Sequence, residues 1–239
     1  MIELVDVGKR YGDAWAVRGV NLTIADGEFV AVLGESGSGK TTVVKMINRL
    51  IEPDAGELRV DGKDVRAGDA VALRRSIGYV IQAAGLFPHW TIADNLATVP
   101  RLLAWPEAQT AARVRELLAL VGLPDVGARF PDQLSGGQRQ RIGVARALAA
   151  KPRILLLDEP FGALDPIIRA ELQRELRKIH LELKLTSVMV THDLDEAFAL
   201  ADRVAVMFRG KLCQVGTPDE LTTKPADDYV AKLIGMMKR

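Results

Sequence analysis

The chain has 239 residues, 48% hydrophobic and 26% charged, and its 32 Lys and Arg against 31 Asp and Glu leave a net charge of +1. That length suits one unit with a substantial core, and the near-neutral balance excludes a chain-wide basic field for nucleic acid. No apolar run approaches the ~20 residues that cross a bilayer, Met1-Ile2-Glu3-Leu4 lacks the basic and apolar regions of a secretory leader, and the lone Cys213 excludes a disulfide framework; the expected location is the cytosol.

Residues 1–32 read as strand-rich, with turn signals at Gly8, Gly12, Gly19 and Asp26-Gly27. Phe29-Val30-Ala31-Val32-Leu33 is a short apolar run of the kind a fully buried strand needs. It leads into Gly34-Glu35-Ser36-Gly37-Ser38-Gly39-Lys40-Thr41-Thr42, the pattern G-x-x-x-x-G-K-[ST], and then into a helix predicted over Lys40 to Leu50. In such a loop glycines let backbone N–H groups curl around phosphate oxygens, while Lys40 reaches the terminal phosphates and the Thr41 hydroxyl holds Mg²⁺. Strand, loop and helix start together aim free N–H groups and a positive dipole end at one point. A nucleoside triphosphate is the ligand this pattern implies.

Short extended segments continue through residues 54–82, including Gly56 to Val60 before Asp61-Gly62, and Ile77 to Ile81. Residues 85–150 change character. Glu107 to Val121 sets Val114, Leu117, Leu118 and Val121 at helical spacing, and a second helix is predicted over Gly137 to Ala149 with Ser135 as its N-cap. Gly136 and Gly137 would let backbone approach an anion closely. From Arg153, strands (Ile154–Leu157, Ser187–Val190, Arg203–Met207) alternate with a long helix over Pro166 to Leu183, which argues for a mostly parallel α/β sheet. Asp227 to Met237 reads as a short amphipathic helix packing on its own core through Val230, Leu233 and Ile234. In Ile154-Leu155-Leu156-Leu157-Asp158-Glu159-Pro160, two carboxylates emerge where open α/β sheets bind ligands. Asp158 suits Mg²⁺, held through water, and Glu159 suits polarisation of an attacking water.

Leu134-Ser135-Gly136-Gly137-Gln138 lies with Ser135 95 positions after Lys40 and 23 before Asp158. With both motifs present at that spacing, the chain resembles the ATP-binding cassette (ABC) ATPases. The resemblance implies a P-loop NTPase core with a mostly parallel sheet, an N-terminal antiparallel β region and an inserted helical subdomain. It divides the single domain 1–239 into a nucleotide-binding core (1–84 and 151–239) and a helical insertion (85–150). ATP and Mg²⁺ are the implied ligands, and the implied assembly is a homodimer. There, Ser135, Gly136, Gly137 and Gln138 of one subunit close over the nucleotide in the P-loop of the other. Gln82 matches the Q-loop glutamine, which touches Mg²⁺ and the attacking water. Asp165, in Gly162 to Pro166, matches the D-loop that contacts the partner, and His192 matches the switch histidine on the γ-phosphate. Tyr11 sits where the family stacks an aromatic on adenine, a contact that favours purines without excluding GTP. No catalytic position is degenerate. His89 and His180 fit no motif and read as surface or structural.

The 95 residues between P-loop and signature leave no room for the long coiled coil of the chromosome and repair branch, and one motif set argues against a tandem translation factor. A cassette without membrane helices resembles an importer subunit at the cytoplasmic face of the membrane, partnered by separate permease subunits and a substrate-binding protein. Gly85 to Thr91, Asn95-Leu96, Val99 to Trp105 and Asp165 to Arg169 resemble the branch importing glycine betaine, choline and other quaternary amines. An importer for another solute and a non-transport ABC ATPase remain the alternatives. Residues 83–105 read as a loop whose exposed Leu86, Phe87 and Trp90 receive a permease helix. Many relatives in that branch carry C-terminal regulatory CBS modules; with the sequence ending at Arg239, that sensor is expected to be missing or supplied otherwise.

Overall fold

In the computed structural model, which describes residues 1–82, 84–162 and 164–235, the chain begins with β1 (Ile2–Tyr11), β2 (Ala14–Ile24) and β3 (Phe29–Leu33). Then come α1 (Lys40–Ile47), β4 (Ala55–Val60), β5 (Lys63–Asp64), α2 (Ala70–Ser76) and β6 (Ile77–Val80). Three helices follow, α3 (Ile92–Leu102), α4 (Glu107–Leu120) and α5 (Gly136–Ala147). Alternation resumes with β7 (Ile154–Asp158), α6 (Pro166–Leu183), β8 (Thr186–Thr191), α7 (Leu194–Leu200), β9 (Arg203–Phe208), β10 (Lys211–Gly216), α8 (Pro218–Thr223) and α9 (Asp228–Gly235).

The strands form two sheets. One is antiparallel and four-stranded in the order β2-β1-β4-β5; the other has six strands in the order β10-β9-β3-β8-β7-β6 and is parallel except for the β9–β10 pair. Every residue of β3, β7 and β8 is buried, because both faces of the large sheet are covered. The period of two along each strand divides its side chains between two cores. Val30, Val32, Leu156 and Val190 face the antiparallel sheet and α1, meeting Ile2, Ile24, Val43 and Ile47. Ala31, Leu33, Leu155 and Leu157 face the other way, joining Leu96, Leu117, Ile142 and Leu176. The helical segment therefore shares its core with the sheet.

Residues 83–105 are not simply a loop: α3 occupies Ile92–Leu102. The polar residues that read as turn formers cap the helix. Thr91 Oγ1 accepts from the Asp94 amide at 3.1 Å, and buried Asn95 accepts from Phe87 N at 2.8 Å and donates to Phe87 O and Thr91 O at 3.1 and 3.0 Å. Pro100 falls in the last turn. The short α2, α7 and α8 escape a periodicity reading but carry side-chain N-caps at Asp69, Asp193 and Thr217. In α9, Val230 and Ile234 are buried and Tyr229 stacks on Phe208 with centroids 4.0 Å apart. Met236 and Met237 of the predicted tail helix, Ala83 of the exposed stretch and Ala163 of the Asp165 motif lie outside the described residues. Among the described residues no helix is long and apolar enough to cross a membrane.

Candidate functional site

Sequence and backbone conspire at the end of β3. Gly37 and Gly39 take φ of 80° and 99°, and a Cβ on Gly34 would meet the Met207 carbonyl at 2.2 Å, so the loop turns back on itself only with glycine there. Gly39 caps α1 without a side chain, which leaves the first-turn amides to an outside acceptor at the positive end of the helix. Lys40, 5% exposed, donates to the carbonyls of Gly34 and Glu35 at 2.7 and 2.8 Å. Burial lowers its ammonium pKa, partly offset by Glu159, Asp158 and Glu35. A cleft of about 330 Å³ opens over this loop, lined by Ser36, Gly37, Lys40, Thr41 and Thr42 together with Ala16 and Glu159.

The carboxylates arrive from β7, two strands away. Asp158 Oδ1 accepts from Thr41 Oγ1 at 3.0 Å and its Oδ2 from Tyr79 Oη at 3.3 Å. Burial, then the charge of Asp158, raises the Tyr79 hydroxyl above its usual value and keeps it a donor. Glu159 sits at φ 46°, a left-handed conformation uncommon for a residue with a side chain, and its amide donates to Val190 O at 3.0 Å. Its two oxygens face different partners. Oε2 accepts from Gln82 Nε2 at 3.4 Å, and Oε1 lies 3.4 Å from His192 Nδ1. A second cleft of about 420 Å³ runs from these three residues to Gly136 and Arg139 at the start of α5.

The donor set fits a phosphate-bound Mg²⁺: a hydroxyl and a carboxylate 3.0 Å apart, beside a lysine and uncapped amides. Among the described residues no group of three His, Cys, Asp or Glu could hold a metal unaided, so phosphate oxygens and water would complete the shell.

Of the sequence-predicted residues, Lys40, Thr41, Asp158, Glu159, Gln82 and His192 come together. Tyr11, 54% exposed at the end of β1 with Lys9 Nζ 5.9 Å from its ring centroid, does not line the P-loop cleft, nor do Ser135, Gly136, Gly137 and Gln138. Ser135 caps α5, accepting from Gln138 N at 3.2 Å while Gln138 Oε1 accepts from Ser135 N at 3.0 Å. Asp165 caps α6, accepting from the amides of Ile167 and Ile168 at 3.2 and 3.0 Å. Sequence reasoning missed Ala16 and Tyr79. Tyr79 stood inside an apolar strand with no motif of its own, and only the β6–β7 pairing brings it to Asp158.

A family profile described as ABC transporter matches residues 17–162. The choline transport ATP-binding protein OpuBA of Bacillus subtilis (strain 168) is 56% identical over 98% of this chain and 62% of its own length. The glycine betaine uptake system ATP-binding protein YehX of Escherichia coli (strain K12) is 51% identical over 98% of this chain and 77% of its own length. The chain thus spans less than two thirds of the first of these relatives. Among solved structures, the dimeric post-hydrolysis state of the ATP-binding cassette MJ0796 bound to ADP and Pi superposes with a TM-score of 0.81 at 34% identity, covering 91% of this chain and 98% of that one.

Proposed function

The chain belongs to the ABC transporter family, and from that premise we propose that it binds ATP with Mg²⁺ and hydrolyses it to drive import of a quaternary amine. The observation that carries the reading is the meeting of Glu159, Gln82 and His192 beside the cleft that holds Lys40 and Thr41. Lys40 and the uncapped amides of α1 hold the terminal phosphates. Thr41 and Asp158 hold Mg²⁺, which when bound neutralises phosphate charge. Glu159 accepts a proton from the attacking water, Gln82 orients that water, and His192 braces Glu159 and reaches the γ-phosphate. Such catalysis works mainly by positioning and charge stabilisation.

Ser135 to Gln138 do not line their own chain's P-loop cleft, which favours a head-to-tail homodimer in which they close the partner's nucleotide; the dimeric state of the MJ0796 cassette supports this arrangement. Residues 85–150 serve as the helical subdomain of that assembly. Tyr11, exposed at the end of β1, stacks on the adenine. A groove of about 450 Å³ between β6 and α3, lined by Ile81, Phe87, Val99, Arg75 and Arg146, suits a short cytoplasmic helix of a membrane permease. That docking would hold the chain peripherally at the cytoplasmic face of the membrane, with a substrate-binding protein completing the system. The cargo follows from relatives named for choline and glycine betaine transport. Reconstitution with membrane permease and substrate-binding subunits, followed by uptake of labelled glycine betaine and choline, tests this. Uptake of an inorganic anion alone would overturn the cargo and leave the ATPase standing.

A further inference from the structure

Arg169, in the first turn of α6, ties together two segments that have no contact in sequence. Its Nη2 donates to the Leu164 carbonyl at 3.2 Å, next to Asp165, and its Nη1 donates to Asp193 Oδ2 at 3.1 Å. Asp193 directly follows His192. Its other oxygen accepts from the Glu196 amide at 3.2 Å, and its own amide donates to Thr191 Oγ1 at 3.0 Å. Thr191, directly before His192, donates to Glu196 Oε2 at 2.6 Å. Both chain neighbours of His192 therefore belong to one network, and that network ends on one guanidinium.

Charge makes the guanidinium indispensable to it. Glu196 is only 4% exposed, and among the described residues Arg169 is the sole cation paired with either Glu196 or Asp193. A buried carboxylate that loses its counter-charge is strongly disfavoured. The pairing is also incomplete: Arg169 Nε is buried, has no hydrogen-bond partner among the described residues, and lies 3.7 Å from Glu196 Oε1. A shift of about 1 Å would bring it into hydrogen-bond range.

We infer that Arg169 is a positioning residue that couples the Leu164–Asp165 segment to the aim of His192, so that a second copy pressing on that segment sets the histidine against Glu159 and the γ-phosphate. The inference rests on the ATP-hydrolysing dimer proposed above.

The test compares Arg169→Gln and Arg169→Lys in the full chain by amide hydrogen exchange and steady-state ATPase kinetics. In Arg169→Gln, exchange should speed up both at Leu164–Asp165 and at Asp193–Glu196 while β8 stays protected. The kcat should fall about 10- to 100-fold, as expected for a misaimed group, with the KM for ATP within roughly twofold. Lysine, lacking the fork, should recover only part of the rate. Asp193→Asn should reproduce the loss, and the double variant should be no worse than the worse single one, because both cut the same link. Wild-type kcat in a folded Arg169→Gln chain, loosening of only one segment, or additive losses would each overturn the coupling. If the unaltered chain hydrolysed no ATP, the functional reading would fall, and the exchange data would still decide whether Arg169 links the two segments.

Discussion

Glu159 combines a strained backbone with two polar neighbours, and both follow from its position at the lip of β7. Its left-handed conformation costs on the order of 1 kcal/mol for a residue with a Cβ, and the hydrogen bonds to Val190 and Gln82 hold it there. Glu159→Gln keeps the shape and loses the proposed base. Hydrolysis should drop about 10²- to 10⁴-fold while equilibrium binding of ATP survives; hydrolysis at the unaltered rate would remove Glu159 from its role. A different residue bears on acid stability. His180, 1% exposed, lies with Nδ1 2.9 Å from Ser187 Oγ and its ring 5.0 Å from Phe29. Burial, and then Arg177, lower its pKa below the ordinary 6.5. The folded chain then binds this proton less readily than the unfolded chain, so the contribution is complete above the unfolded pKa and is lost as pH falls below it. The Tm should decline between pH 7.5 and 5.5, and His180→Gln should flatten that decline; parallel curves would assign it to other groups.

Two helix contacts set the geometry around the site. Gly137 lies where a Cβ would meet Ile168 Cγ2 at 2.6 Å, so α5 and α6 approach through a missing side chain. Gly137→Ala gains about 1 kcal/mol in helix propensity, but overpacking costs about 1–3 kcal/mol. Net destabilisation is expected in urea unfolding, and Ile168→Ala in the same chain should relieve it. On the outer face, Phe87 and Trp90 stand 44% and 45% exposed with ring centroids 4.7 Å apart, and Arg146 sits 5.7 Å from the Phe87 centroid while donating to the Ala84 and Gly85 carbonyls. Under the proposed docking, this exposed aromatic pair is partner surface. Phe87→Ala should abolish coupled uptake in vesicles while ATP hydrolysis by the isolated subunit persists; coupled uptake at full rate would move the permease contact elsewhere.

The whole molecule bears half of each proposed active site. Lys40→Ala should weaken nucleotide binding itself, whereas Ser135→Arg should leave binding by the isolated subunit intact and stop hydrolysis. Mixed, the two inactive variants should recover activity, because one of the two composite sites then has both halves whole. A mixture shown by mass to contain heterodimers, yet silent in hydrolysis, would count against a shared site.

The sequence by itself determined the layering of this protein and the motifs on which the proposed chemistry rests. Gly34 to Thr42 needs its glycines for backbone reasons alone, Asp158-Glu159 ends an apolar run, and the unbroken apolar character of β3 and β7 already required cover on both faces. The helices α1, α4, α5 and α6 were legible from spacing and caps, with ends displaced by a few residues where Asn48 and Leu148 cap them early. What only the tertiary structure decided is which residues meet. Tyr79 reaches Asp158 across 79 positions and Gln82 reaches Glu159 across 77, because β6 lies beside β7. Arg169 meets Asp193 because α6 packs beside α7. Periodicity within a segment reveals the face that is buried. It carries no information about the neighbour that buries it, since that choice is made by strand order and helix packing over the whole chain.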